Sequence, residues 1–232
     1  MTAQSSAIIV AAGSSRRMEG RDKLWLPLAG RIVLARTIDV FEACQIIDNI
    51  VLVLHSERLE DASKLCQQEG WGKVIGIVEG GTRRQDSVRI GLDYLAKHAP
   101  TTQWVMIHDG ARPLVTPNIL ETGLKTAQEC DGAIAAVPVK DTIKHVEQGW
   151  ITSTPDRSQL WAIQTPQVFS FPLIHHAYHT APIEQVFTDD AALLEHLGKH
   201  VAIFMGSYSN IKITTREDLL IAEALIKGSA RL

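Results

Sequence analysis

What the 232 residues lack narrows the field first. There are three cysteines, Cys44, Cys66 and Cys130, and no CxxC pair among them. That odd, scattered set suits neither a disulfide framework nor a structural zinc site, and it is expected in a reducing compartment. The longest apolar run near the N-terminus, Ala7 to Ala12, is too short to span a membrane and has no basic lead-in of the signal-peptide kind. The expectation is a soluble cytoplasmic protein with no membrane partner. Positive charge is not in excess either: 23 Lys and Arg face 26 Asp and Glu, for a net charge of −3. A nucleic-acid binder resting on general electrostatics carries a basic footprint, so nucleic acid is not an expected partner. The phosphate-loop pattern GxxxxGK[ST] and the dinucleotide pattern GxGxxG are both missing. No internal repeat, low-complexity tract or linker breaks the chain, so residues 1–232 are expected to form a single domain.

What is present is a regular alternation. Ala7–Val10, Asn49–Leu54, Val74–Val78, Trp104–Ile107 and Ala133–Val137 are apolar throughout, without the two-residue polarity of a half-exposed strand. Such runs fit strands covered on both faces of a mainly parallel sheet. Amphipathic stretches over Val33–Ala43, Glu57–Glu69, Asp86–Lys97 and Pro117–Glu129 separate them. Strand and helix in turn predict an α/β fold with a parallel twisted sheet between helices. The pattern breaks at about 139–160, where Thr142–Val146 and Trp150–Thr152 alternate around Gln148-Gly149. This reads as a protruding two-stranded arm. An isolated hairpin is marginal in water, so the arm is expected to pack on a second subunit or, alternatively, on its own domain. Beyond it come Leu160–Phe169, a helix over Thr188–Leu197, strands near Val201–Phe204 and Ile211–Ile213, and a closing helix. Thr215-Arg216-Glu217-Asp218 gives that helix a capping-box-like start.

Three segments stand where strands end. Val10-Ala11-Ala12-Gly13-Ser14-Ser15-Arg16-Arg17-Met18, followed by Asp22-Lys23, joins small residues to cations. Small residues let a backbone approach a ligand, and cations with backbone N–H groups complement phosphate oxygens. An ordinary glycine turn with solvated arginines accounts for the segment equally well. Glu79-Gly80-Gly81-Thr82-Arg83-Arg84-Gln85-Asp86-Ser87 follows a strand and opens a helix, which places it on the ligand-binding edge of an open α/β sheet. Asp86 or Ser87 also suits a plain helix cap. Ile107-His108-Asp109-Gly110-Ala111-Arg112-Pro113 supplies a carboxylate of the type Mg2+ takes, although Asp109 can instead pair with Arg112 in a structural turn. His108 fits a satisfied structural imidazole better than a base. Lys212, between apolar residues, would snorkel outward or aim its ammonium into a site. His175, His176 and His179 lack cysteine support and read as surface or packing residues.

Taken in order, AAGSSRRM, GGTRRQDSV, HDGARP, PVKDTIK, DRSQLWAIQTPQVF, TDDA and NIKITTREDL closely resemble the 2-C-methyl-D-erythritol 4-phosphate cytidylyltransferase family. The resemblance runs from about Ile8 to Ile226. It implies a Rossmann-like nucleotidyltransferase fold and a homodimer joined through the β-arm. It also implies Mg2+-dependent (or other divalent-cation-dependent) transfer of CMP from CTP to 2-C-methyl-D-erythritol 4-phosphate, a small polyol phosphate, giving 4-diphosphocytidyl-2-C-methyl-D-erythritol and pyrophosphate in isoprenoid precursor synthesis. By position, Arg17 and Lys23 match the family's transition-state cations, and Arg157 and Lys212 the residues that place the acceptor phosphate. Ala11, Ala12, Gly13, Gly81, Thr82 and Ser87 fall where the family holds cytidine. Asp109, Arg112, Thr142 and Thr165 fall at the sugar-phosphate site, with Asp109 as a metal ligand to an Mg2+ held mainly by CTP phosphates. Arg157 and Thr142 would act across the dimer. Asp22 departs from the pattern, standing where many members have proline. A ribitol 5-phosphate cytidylyltransferase and a catalytically silent nucleotide-binding module are the rival readings.

Overall fold

The computed structural model describes residues 4–13, 22–182 and 184–229. Its centre is a seven-stranded sheet built from β1 (Ser5–Ala11), β4 (Asn49–Leu54), β5 (Val74–Glu79), β6 (Trp104–Asp109), β7 (Gly132–Pro138), β10 (Trp161–Ser170) and β11 (Val201–Met205). The order across the sheet is β11-β7-β10-β6-β1-β4-β5. All neighbours are parallel except β10, which runs antiparallel to both β6 and β7. β2 (Pro27–Leu28) and β3 (Arg31–Ile32) form a small ribbon before the first helix.

The apolar strands are continuous because both faces are covered. Ala7 and Ile9 of β1 pack on one face with Val33, Leu34, Ile38 and Phe41 of α1 (Val33–Ala43), Ala62 of α2 (Leu59–Glu69) and Ile119 and Leu120 of α4 (Pro117–Ala127). Ala222 of α7 (Arg216–Ser229) joins the same side. Ile8, between them, faces Val88, Leu92 and Leu95 of α3 (Arg84–His98), Ile174 and Ala177 of α5 (Phe171–Thr180), and Leu193 and Leu194 of α6 (Ala191–His196). A one-residue slip of β1 would turn each layer's side chains into the other.

The closing helix starts as its sequence suggests. Asp218 accepts from the backbone N–H groups of Thr214 and Thr215 at 2.7 and 2.8 Å, and its own N–H reaches Thr215 Oγ1 at 3.4 Å. One expectation is corrected and one element is new. Ile211–Ile213 is not a strand, because its backbone bonds to a turn rather than to the sheet: Ile213 N–H donates to Ala111 O at 2.8 Å. Helix α5 was not anticipated. Pro172 lies in its first turn, where a missing N–H costs nothing, rather than acting as a breaker.

The arm is β8 (His145–Glu147) paired antiparallel with β9 (Trp150–Ser153). Gln148 and Gly149 join them with φ of 49° and 87°, the positive pair that a tight primed turn needs. Every residue from Asp141 to Thr154 is exposed, including Trp150 at 79% and Ile151 at 66%. The arm therefore projects from its own domain and is not folded down onto it.

Candidate functional site

The chain runs β1, β4, β5 to one side and then returns to place β6 on the other flank of β1. That reversal leaves a crevice beyond the carboxyl ends of the strands, the place where open α/β sheets bind ligands. A cleft of about 640 Å³ occupies it, and its walls are strand ends. β1 contributes Ala11, Ala12 and Gly13, β4 the following His55 and Ser56, β5 Glu79 through Thr82, and β6 Asp109 and Ala111. Lys23 and Lys212 reach the same cleft from loops.

The β5 loop is narrow by necessity. A Cβ on Gly80 would lie 2.3 Å from Ala12 Cβ and 2.8 Å from Ser87 Oγ, so glycine lets the two loops close together. Ser87, almost fully buried, accepts from Gly81 N–H at 3.1 Å and donates to Arg83 O at 3.2 Å. Asp86 accepts from the Arg83 guanidinium at 2.7 and 2.9 Å and from the Arg83 backbone N–H at 3.1 Å. The Arg83 side chain holds the Asp86 carboxyl down at about 2. The sequence-level helix cap and the ligand loop are thus one structure.

Lys23 sits in a 3-10 turn, Lys23–Trp25, that Asp22 caps by accepting from Leu24 N–H at 3.1 Å. The other Asp22 oxygen takes Arg58 Nε at 3.1 Å, and that guanidinium lies 5.3 Å from the Trp25 ring centre. A carboxylate anchored to Arg58 thus shapes the turn that carries Lys23.

Asp109 is the electrostatic centre. Its oxygens meet Lys212 Nζ at 2.8 Å, Arg84 Nε at 3.3 Å and Arg112 Nε at 3.8 Å. Burial works against the carboxylate, but Arg84, Lys212 and Arg112 outweigh it and hold its pKa well below the usual carboxylate range. Lys212 therefore points inward on Asp109, which settles the choice its sequence left open. Arg84 also grips Asp190 through two bonds of 2.8 and 2.9 Å, and Asp190 is wholly buried. Tyr178 donates to the same carboxylate at 2.5 Å. The Gln167 side chain closes the network, accepting from Asp190 and Ala191 N–H and donating to Asp189. Arg84, Asp190, Tyr178 and Gln167 were missed by sequence reasoning. The signal available was two charged residues inside quoted fragments, Arg84 after the paired glycines and Asp190 within TDDA.

Beneath Asp109 lies a closed polar chain. Thr165 Oγ1 accepts from Asp109 N–H at 3.0 Å and meets His108 Nδ1 at 3.1 Å, while His108 Nε2 faces Arg112 O at 3.2 Å. That set assigns the proton to Nε2, with Thr165 donating to Nδ1. Burial pushes the His108 pKa down to about 4, so it is a neutral structural imidazole. Thr165 is buried and works through the Asp109 turn, beside the cis Thr165–Pro166 bond. Arg112 donates to Asn210 O at 2.7 Å, and Asn210 in turn donates to Thr165 O at 2.9 Å. Asp109 therefore fronts the cleft, while Arg112 braces the turn behind it.

The structure brings together Ala11, Ala12, Gly13, Lys23, Gly81, Thr82, Ser87, Asp109 and Lys212 around the cleft, with Arg112 and Thr165 directly behind Asp109. Arg17 lies outside the described residues. Arg157 and Thr142 do not join this cleft. Arg157 donates to Lys140 O at 2.7 Å and lines a separate hollow of about 400 Å³ with Pro138, Val139, Asp156, Ser158 and Trp161, at the base of the arm. Thr142 is exposed on the arm itself. Among the described residues, the cluster of His, Cys, Asp or Glu side chains close enough to cage a metal lies elsewhere, at Asp93, His175 and His179. Asp109 is already neutralised by Lys212, Arg84 and Arg112, so a divalent ion at this cleft would have to be held mainly by a ligand's phosphates.

The family model described as IspD, 2-C-methyl-D-erythritol 4-phosphate cytidylyltransferase, matches residues 5–228. A protein of that name from Dehalococcoides mccartyi strain CBDB1 is 50% identical over 222 residues, covering 95% of each chain. Another from Geobacter metallireducens is 45% identical over 224 residues, covering 95% of this chain and 97% of the relative. The crystal structure of a 4-diphosphocytidyl-2C-methyl-D-erythritol synthase from Anaerococcus prevotii superposes with a TM-score of 0.86 at 34% identity, covering 97% of each chain.

Proposed function

The chain belongs to the 2-C-methyl-D-erythritol 4-phosphate cytidylyltransferase family, and on that premise we propose how its cleft transfers CMP from CTP to 2-C-methyl-D-erythritol 4-phosphate. The observation that carries the reading is that Lys23 and the Lys212–Asp109 pair line one cleft together with Ala11–Gly13 and the Gly80-Gly81 loop.

The reaction joins two anions. The acceptor phosphate oxygen attacks the α-phosphorus of CTP, and the bond to the β-phosphate oxygen breaks as pyrophosphate leaves in line. Such a step needs charge neutralisation and alignment more than a proton acceptor. This accords with a neutral, fully hydrogen-bonded His108 at the site. Lys23, on its capped turn, and Arg17 from the adjoining segment stabilise the charge that develops on the transferring and leaving phosphates. The close approach of the β1 and β5 loops accommodates the base and ribose. Thr82 and Ser87 border that pocket. Lys212 and Arg112 lie on the acceptor side, held at fixed positions by Asp109. A divalent cation, Mg2+ in this reading, would be held by the CTP phosphates with Asp109 as the protein's oxygen donor, and would neutralise the pyrophosphate leaving group.

Arg157 and Thr142 are assigned to the partner's cleft. They stand at the base and on the shaft of an arm whose Val146, Trp150 and Ile151 are exposed. Covering apolar surface of that kind with a second copy would complete both sites at once and make the protein a homodimer through its arms. The protein works in the cytoplasm on two small phosphorylated substrates.

Thermal unfolding with and without nucleotide tests the reading. CTP with Mg2+ should raise the Tm by several degrees through preferential binding to the folded state, while NAD should leave it unchanged. Equal protection by NAD and CTP would contradict the assignment of this cleft.

A further inference from the structure

A second site lies outside the cleft. His175 and His179 stand four residues apart on α5, so their rings share one face of the helix. Both turn Nε2 onto the same oxygen of Asp93 on α3, at 3.1 and 2.7 Å. The three ligand atoms all lie within 4.8 Å of one another. The rings are held in place by packing: His175 stacks on Phe171 at 5.6 Å between centroids and meets His179 at 4.5 Å. All three side chains are partly open to solvent, between 31% and 48%.

We propose that Asp93, His175 and His179 form a binding site for one divalent transition-metal ion of the zinc class, clamping α3 to α5. Two imidazoles and a carboxylate are the borderline donor set such ions select, and it is a poor set for Mg2+ or Ca2+, which favour all-oxygen shells. In a tetrahedral shell with bonds of roughly 2.0–2.1 Å, neighbouring donors sit about 3.3 Å apart. The two observed separations from Asp93 need only a small opening to reach that spacing. With its hydrogen on Nδ1, each neutral imidazole presents the Nε2 lone pair to the centre. The side open to solvent leaves the fourth position to water.

The location gives the ion a consequence. Helix α3 begins at Arg84, and α5 carries Tyr178 immediately before His179. Arg84 and Tyr178 both bond the buried Asp190 carboxylate. A metal bridging Asp93 to the two histidines ties together the helices that carry them, on the rear of the cleft wall. It takes no part in the transfer reaction, and the proposal does not depend on that reaction.

Untagged protein, stripped with chelator and free of nucleotide, should be titrated with Co2+ and followed by its visible absorption, with Zn2+ competition and thermal unfolding alongside. One Co2+ per chain should give d–d bands that Zn2+ abolishes, and Zn2+ but not Mg2+ should raise the Tm. His175→Ala, His179→Ala and Asp93→Asn should each weaken binding at least tenfold, because even outer-shell losses at metal sites cost roughly tenfold to 100-fold. The double substitution His175→Ala/His179→Ala should abolish both the spectrum and the Tm rise. These are surface positions, and circular dichroism is to check that each variant remains folded. His179→Gln, which keeps a polar side chain of similar reach, covers the case in which an alanine variant does not. Unchanged Co2+ binding in the histidine variants, or no binding by the parent below millimolar metal, would overturn the site.

Discussion

Asp109 and His108 are neighbours on β6 with opposite duties. Asp109 faces the cleft and three cations, whereas His108 faces the core, 5.0 Å from the Phe41 ring. The buried imidazole makes the fold sensitive to acid. Its folded pKa of about 4 lies below the ordinary value near 6.5. Between those values the unfolded chain takes up a proton that the folded chain refuses, so stability falls as pH drops from about 6.5 towards 4. The loss should be on the order of 3 kcal/mol. Urea unfolding at pH 7 and pH 5 should show most of it, and His108→Gln should flatten the difference. An equally steep dependence in that variant would assign the effect to other groups.

Lys23 carries a different prediction at the same scale. Its ammonium is assigned to charge that appears mainly in the transition state. Lys23→Ala should then lower turnover by roughly 10²–10³-fold, as loss of one oxyanion donor does, with a much smaller change in CTP affinity. Near-normal turnover by a correctly folded variant would remove Lys23 from the machinery. Lys23 and Lys212 could be read from the chain only through the ordered set of fragments, and both line the cleft. Arg84 could not be separated from Arg83 by sequence, since adjacent arginines on a helix start diverge only in three dimensions. Arg83 turns back onto Asp86, while Arg84 crosses to Asp109 and Asp190.

At the scale of elements, the five apolar runs read as strands are strands, and helix α1 spans the residues its periodicity marks. Both succeed because a strand buried on two faces and a helix buried on one leave unmistakable patterns. The misses have local causes. The 211–213 segment has strand-like alternation but finds its partners in the 110–112 turn, and α5 hides a first-turn proline within a histidine-rich stretch. The arm is legible as a hairpin from Gln148-Gly149, but its partner is not, because an unpaired apolar hairpin looks alike in any setting. Mixed dimers address this. Lys23→Ala and Arg157→Ala proteins, each inactive alone, should regain about a quarter of parental activity after mixing and subunit exchange, since half the dimers are mixed and each of those holds one intact site. Absence of recovery despite proven exchange would place Arg157 in the cleft of its own chain.

For the whole molecule, the order of strands matters more than any single contact. Returning β6 to the far side of β1 opens the crevice, and the loops of four parallel strands converge on it. Residues from Ala11 to Lys212 meet there although they are spread along nearly the entire chain. Sequence fragments identify such a site only when taken together, which is why the ordered set was informative and each fragment alone was not. What the ordering does not resolve is the identity of the acceptor, because methylerythritol and ribitol phosphates present the same phosphate to the same cations. The most direct measurement is pyrophosphate release from CTP and Mg2+ with 2-C-methyl-D-erythritol 4-phosphate and ribitol 5-phosphate as parallel acceptors. Release with the methylerythritol phosphate alone is the predicted result. Release with ribitol 5-phosphate alone, or with neither while CTP still binds, would contradict it.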